Sequence, residues 1–140
     1  MARAADTLQG VMAGIERLEL NLLLAPSKGL TATSEGLSDL IKRVGGFRIG
    51  ALPTYGDPAC EDEPILQMRH LAPYAGAVHV CVEGFDKSGT HLGLDLAAGV
   101  AAAKAVGYQS NIAIDYVGSS PETDLVRAVE VLQAAVDVED

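Results

Sequence analysis

Strand-forming and helix-forming segments alternate along this 140-residue chain, and that order restricts the fold more than any other feature of the sequence. Three short runs of β-formers, Arg48 to Leu52, Ala77 to Val82 and Asn111 to Val117, are mostly apolar on both faces, as strands covered by helices are. A fourth, Arg17 to Leu24, is rich in leucine, but its length and the following Pro26 suit a strand. The intervening segments have helical period and helical ends. Thr33 or Ser34 caps a helix with Leu37, Leu40, Ile41 and Val44 on one face, and Gly45-Gly46 stops it. Pro64 opens a helix carrying Ile65, Met68 and Leu71, which Pro73 ends. Leu94 to Val106 is alanine-rich and ends at Gly107, while Ser119-Ser120-Pro121-Glu122 opens a helix with Leu125, Val129 and Leu132 on one face. A further helix is expected in front, near Ala5 to Ala13. Such alternation implies an α/β fold with parallel strands and right-handed crossovers. It fits a four-stranded doubly wound sheet, or four βα units over about residues 17–136 that make half of a (β/α)8 barrel.

Hydrophobic residues make up 49% of the chain, enough for a sizeable core, so low-complexity disorder is excluded and one partial domain over residues 1–140 is expected. Ten Lys and Arg against nineteen Asp and Glu repel phosphate backbones, so neither nucleic acid nor an anionic membrane is an expected partner. No apolar run approaches the roughly 18 residues of a membrane span. The start, Met1 to Asp6, lacks the apolar block of a secretory signal, and a cytoplasmic location is expected. There Cys60 and Cys81, which have no CxxC spacing, stay reduced. No Gly-rich nucleotide loop, nucleophile elbow or HExxH sequence occurs.

Four stretches, in order, carry a resemblance. They are Gly29-Leu30-Thr31-Ala32-Thr33-Ser34-Glu35-Gly36-Leu37, Arg48-Ile49-Gly50-Ala51-Leu52-Pro53-Thr54-Tyr55-Gly56-Asp57, Ala77-Val78-His79-Val80-Cys81-Val82-Glu83, and Gly107-Tyr108 through Ile114-Asp115-Tyr116. Together they resemble strands five to eight of the xylose isomerase-like TIM-barrel superfamily, in particular its sugar phosphate isomerase/epimerase members, over about residues 14–135.

The resemblance implies a divalent metal (Mn, Mg, Zn or Co) held at the C-terminal mouth by Glu, Asp, His and Glu from those strands. The metal would polarise a sugar carbonyl while carboxylates move a proton through an enediolate. This sequence departs from the pattern. The first Glu falls on Leu20, or on Glu19 after a one-residue shift, and the Asp falls on Thr54. The ligand His is Cys81, with His79 keeping the first position of the His-x-His pair; the last Glu is Asp115, and the Lys that often follows is Glu83. The remaining set, Glu19, Cys81 and Asp115, would be softer and lean toward Zn. Glu19, Asp115 and His79 are the expected catalytic residues, and His91, Tyr55 and Asp57 the expected contacts to a small sugar or sugar phosphate.

Each candidate also has a plainer reading. His79 suits a hydrogen-bonded core or mouth histidine, His70 a solvated cation at a helix C-terminus, and His91 ordinary turn chemistry. Asp57, Glu61, Asp62 and Glu63 suit the N-terminus of the helix that Pro64 opens. Gly118-Ser119-Ser120 fits a backbone phosphate site or simple capping, and Glu122 with the acidic tail Asp137 to Asp140 disfavours an anion there.

A barrel takes roughly 200 residues or more, so these four units leave open edges. Two copies closing one barrel, a partner chain supplying the missing strands, a shortened product of poor stability, and an open monomer with the helix near Ala5 to Ala13 folded over one edge all remain. The expected function is metal-assisted isomerisation or epimerisation of a small sugar or sugar phosphate. Its competitor is a non-catalytic half-barrel or ligand-binding module that completes a partner.

Overall fold

A computed structural model describes residues 1–138, so the last two residues of the acidic tail lie outside the described residues. Helix α1 (Ala2–Arg17) buries Ala5 and Met12, with Leu8 and Ile15 beside them, against Leu40 and Val44. That three- and four-residue repeat continues through Ile15, so the helix outlasts the expected Ala13 and takes Arg17 from the expected first strand. Leu18 to Asn21 turn the chain, with Glu19 at φ 56°, and strand β1 is only Leu22–Leu24.

Helix α2 (Ser34–Val44) starts at Thr33, whose hydroxyl accepts the Gly36 N–H at 3.1 Å, a cap worth about 1 kcal/mol. It ends at Gly45, where φ is 71°. Strand β2 (Ile49–Ala51) and strand β3 (Thr54–Tyr55) are two parts of the expected second strand, which runs on past Leu52. Pro53 interrupts the ladder because it has no N–H to give, although its carbonyl still accepts from His79 N–H at 2.9 Å. Helix α3 (Pro64–Leu71) is capped by Glu63, which accepts the Leu66 N–H at 3.0 Å. Strand β4 (Val78–Val82) follows, then helix α4 (Leu96–Lys104), which begins two residues later than expected because Asp95 caps it through the Ala97 and Ala98 N–H groups. Strand β5 (Ile112–Tyr116) and helix α5 (Pro121–Asp137) complete the order.

Every strand pairing is parallel. β1 pairs with β2, β3 with β4 and β4 with β5. Since β2 and β3 are one extended segment, the strands lie side by side in chain order. Each helix also touches the next one along, α1 to α2 through α4 to α5. Sequential parallel strands with helices in register on one face describe a sector of a barrel, and the doubly wound alternative, which sends helices to both faces, is excluded. Val78, Val80 and Val82 of β4 pack beneath α4 and α5 with Met68, Leu96, Val100, Ala128 and Leu132. α1 extends this helix layer by packing on Leu22 and Leu24 of β1. On α5 Leu132 is buried as expected, but Asp124 and Ala128 share its stripe in place of the expected Leu125 and Val129, and Val129 is 56% exposed. Among the described residues no helix is long and apolar enough to cross a membrane.

Candidate functional site

Alternation along β4 and β5 decides which side chains face inward. Val78, Val80 and Val82 belong to the helix-side core, so His79 and Cys81 point to the opposite face. Ile112, Ile114 and Tyr116 pack on the same core, which leaves Ala113 and Asp115 exposed on that opposite face. The register sets Thr54 level with His79, His79 with Ala113, and Cys81 with Asp115. Neighbouring strands lie about 4.8 Å apart, so Cys81 and Asp115 are direct neighbours near the C-terminal strand ends, with His79 one step below. Gly56, at φ 89°, passes so close that a Cβ there would lie 3.3 Å from Cys81 Cβ.

The electrostatics are anionic. Burial pushes the Cys81 thiol up, and the charges of Asp115, Glu83 and Asp57 push it further. A neutral thiol is a poor nucleophile and a poor metal ligand.

Glu19 does not join this group. It sits in the turn before β1, its carbonyl accepting Arg48 Nη1 at 3.0 Å. Leu22 is level with Ile49, five positions below Thr54 on the same extended segment, so Glu19 lies at least about 16 Å away along the strand direction. The expected alignment fails because β1 starts only at Leu22, which leaves both Leu20 and Glu19 at the N-terminal end of the sheet. Among the described residues no group of three or more His, Cys, Asp or Glu side chains is close enough to hold a metal ion. Cys81 and Asp115, with a Thr54 hydroxyl for company, do not fit a resident divalent cation.

The expected substrate contacts also have structural duties. Tyr55 is 3% exposed and lies in the helix-side core, so its ring faces away from the mouth. Asp57 Oδ1 accepts the Ala59 N–H at 2.8 Å and shapes the loop after β3. His91 uses both ring nitrogens: Nε2 accepts the Glu83 N–H at 3.0 Å, which obliges Nδ1–H to donate to the Leu94 carbonyl at 2.8 Å. The acidic cluster caps two helices. Glu63 serves α3, while Asp62 reaches across to accept from Ser34 N–H at 2.7 Å and from the Ser34 hydroxyl at the start of α2. His70 is more than a solvated cation. Ser38 Oγ donates to Glu35 O at 3.0 Å, and His70 Nε2 lies 3.1 Å from Ser38 Oγ.

The N-terminus of α5 is filled from within. Tyr116 Oη accepts the Ser120 N–H at 2.6 Å and donates to Asp124 Oδ2 at 2.8 Å, so of the two readings of Gly118-Ser119-Ser120 the capping one describes the Ser120 amide, though the cap comes from Tyr116 rather than from a serine hydroxyl. Asp124 is signalled in the sequence only by its place four and eight residues before Ala128 and Leu132, a carboxylate on an apolar stripe.

No family model matches the chain, and no curated protein matches it in sequence. Solved structures do match its shape. One is a crystal structure of the IolI protein with a bound zinc atom, at 13% identity and a TM-score of 0.73, covering 96% of this chain and 57% of that one. Another is L-ribulose 3-epimerase, at 22% identity and a TM-score of 0.70, covering 94% and 53%. The chain thus spans a little over half the length of these two structures, and its fold is that of half a (β/α)8 barrel.

Proposed function

We propose that this chain is the C-terminal half of a sugar isomerase/epimerase-type barrel, working in the cytoplasm, that takes a small sugar or sugar phosphate at the C-terminal ends of β3, β4 and β5. The observation that carries this reading is the row of Thr54, His79, Cys81 and Asp115 that the strand register sets on the sheet face opposite the helices, with Asp115 exposed at its end. The opposite wall comes from further strands that pair with the free edges of β1 and β5, supplied by a second copy or by another segment. Structural likeness to L-ribulose 3-epimerase supports the ligand class.

Asp115 is the side chain suited to move a proton. Its exposed carboxylate would take the proton from the carbon beside a sugar carbonyl, the electron pair passing to the carbonyl oxygen to give an enediolate, and delivery of a proton to the opposite face of that carbon completes epimerisation without net oxidation. His79, one step below, would hydrogen-bond a sugar hydroxyl. Glu19 has no part in this chemistry, and no step passes through a metal, since the donors on hand do not fit one.

The same poverty of donors favours a second reading, in which the half-barrel binds sugar without turning it over. Incubating the protein with L-ribulose in deuterated water separates the two. Deuterium entering the carbon-bound positions, and failing to enter with Asp115→Asn, supports catalysis. Binding without exchange supports the module, and neither binding nor exchange overturns both.

A further inference from the structure

We infer that His91 is a pH-sensitive latch on the loop that overhangs the mouth. The loop leaves β4 at Glu83 and returns at the Asp95 cap of α4, and it closes on itself at one place. Phe85 and His91 pair as an antiparallel bridge, their rings meet edge to face at 5.4 Å, and the Leu92 N–H donates to Gly84 O at 2.9 Å. Across that neck the His91 ring joins the two stems, taking the Glu83 N–H on Nε2 and giving its Nδ1–H to Leu94 O. Both partners are backbone groups, one able only to donate and the other only to accept, so a single neutral tautomer satisfies them.

A second proton breaks this arrangement. It lands on Nε2, where the lone pair held the Glu83 amide, and sets one N–H against another. The carboxylate of the same residue lies across Gly93 from the ring: a Cβ placed on Gly93 would be 2.7 Å from Glu83 Oε1 and 3.0 Å from His91 Cε1, so a turn of either side chain brings the two together. The imidazolium therefore exchanges the Glu83 amide for the Glu83 carboxylate, and the first stem of the loop is released. The other charges around the ring are Asp86 and Lys87 in the loop, Asp95 on α4 and Arg127 on α5. Asp86 is engaged by Ser88 and Thr90, Asp95 by the first turn of α4, and Arg127, against which Gly89 rests, pairs with Glu130 at 3.0 Å. Glu83 is thus the carboxylate left to receive the ring. Sugar entry controlled by this loop rests on the reading above, whereas the latch itself does not.

The test is nuclear magnetic resonance on the ¹⁵N-labelled full chain from about pH 8 to about pH 5, the interval in which an imidazole ordinarily takes its second proton. The expected result is His91 as the Nδ1–H tautomer at the upper end, a Glu83 amide proton that shifts with the His91 midpoint, and Leu92 amide protection, corrected for intrinsic exchange, that falls about ten-fold as the bond to His91 is lost. His91→Gln removes this pH dependence and Glu83→Gln reduces it. An Nε2–H tautomer overturns the proposal, as does a Glu83 amide indifferent to the His91 titration. Both outcomes are read on the unaltered protein, so a variant that fails to fold leaves the test intact.

Discussion

Tyr116 and Asp124 close the N-terminus of α5 between them, the phenol donating to the carboxylate at 2.8 Å while accepting the Ser120 N–H at 2.6 Å. A helix start supplied in this way has no vacancy for an anion, and the buried Asp124 adds negative charge where the helix dipole favours it. Asp124→Ala strips the phenol of its acceptor and is expected to cost about 1–3 kcal/mol in urea unfolding, with Asp124→Asn costing less. Inorganic phosphate is expected to leave the Ser119 and Ser120 amide resonances in place.

Gly99 lets α4 lie directly on the ring of Tyr55, where an added Cβ would come within 2.5 Å of Tyr55 Cδ1. Overpacking of this kind is expected to make Gly99→Ala destabilising by about 1–3 kcal/mol, visible as a lower urea midpoint. Tyr55→Phe should leave sugar affinity unchanged, because the ring faces the helix layer; a lost affinity would return Tyr55 to the mouth.

What the sequence made legible was the architecture. Strand–helix alternation, the Thr33 cap, Pro64 in a first turn and Gly45 at a helix end are local signals, and each acts locally in the fold. The candidate site was less legible, because it depends on where strands begin and on which face a side chain takes. Arg17 to Leu24 reads as a strand by its length and the following Pro26, yet α1 continues to Arg17 since Ile15 still has Leu40 and Val44 to pack on. That shift moved Glu19 to the wrong end of the sheet. Tyr55 lies beside Thr54 in sequence but on the other face, and His91 is claimed by the backbone of its own loop. By contrast Cys81 and Asp115, which the resemblance set together, each lie within a strongly patterned strand and are level with one another in the register.

The Cys81 thiol is held in its neutral form first by burial and then by Asp115, Glu83 and Asp57. Asp115→Asn removes one of the smaller causes, so iodoacetamide should alkylate Cys81 a few-fold faster near neutral pH, by less than about ten-fold. Cys60 is raised as well, chiefly by burial. Thiols raised in the folded state ionise first in the unfolded chain. Their contribution to stability is full below the ordinary thiol range and is lost as pH rises through the folded-state values. Alkaline urea midpoints should fall accordingly, and fall less in Cys60→Ala.

The Asp86 carboxyl is held below its ordinary value by the Ser88 hydroxyl first and then by the Thr90 N–H. Stability from this group is present above the ordinary carboxylate range and is lost as pH falls through the lowered value. Amides of residues 86–90 should therefore lose hydrogen-exchange protection in acid, and Asp86→Asn should show that loss already at neutral pH.

On the proposed reading, the inward row ending in Cys81 and Asp115 becomes a sugar site once the free edges of β1 and β5 are covered. Calorimetric titration of L-ribulose into size-separated monomer and assembled fractions, each with its mass fixed by light scattering, tests it most directly. Binding heat from the assembled fraction alone, abolished by Asp115→Asn, is the predicted result. Equal binding by the monomer, or binding that Asp115→Asn leaves untouched, would contradict it.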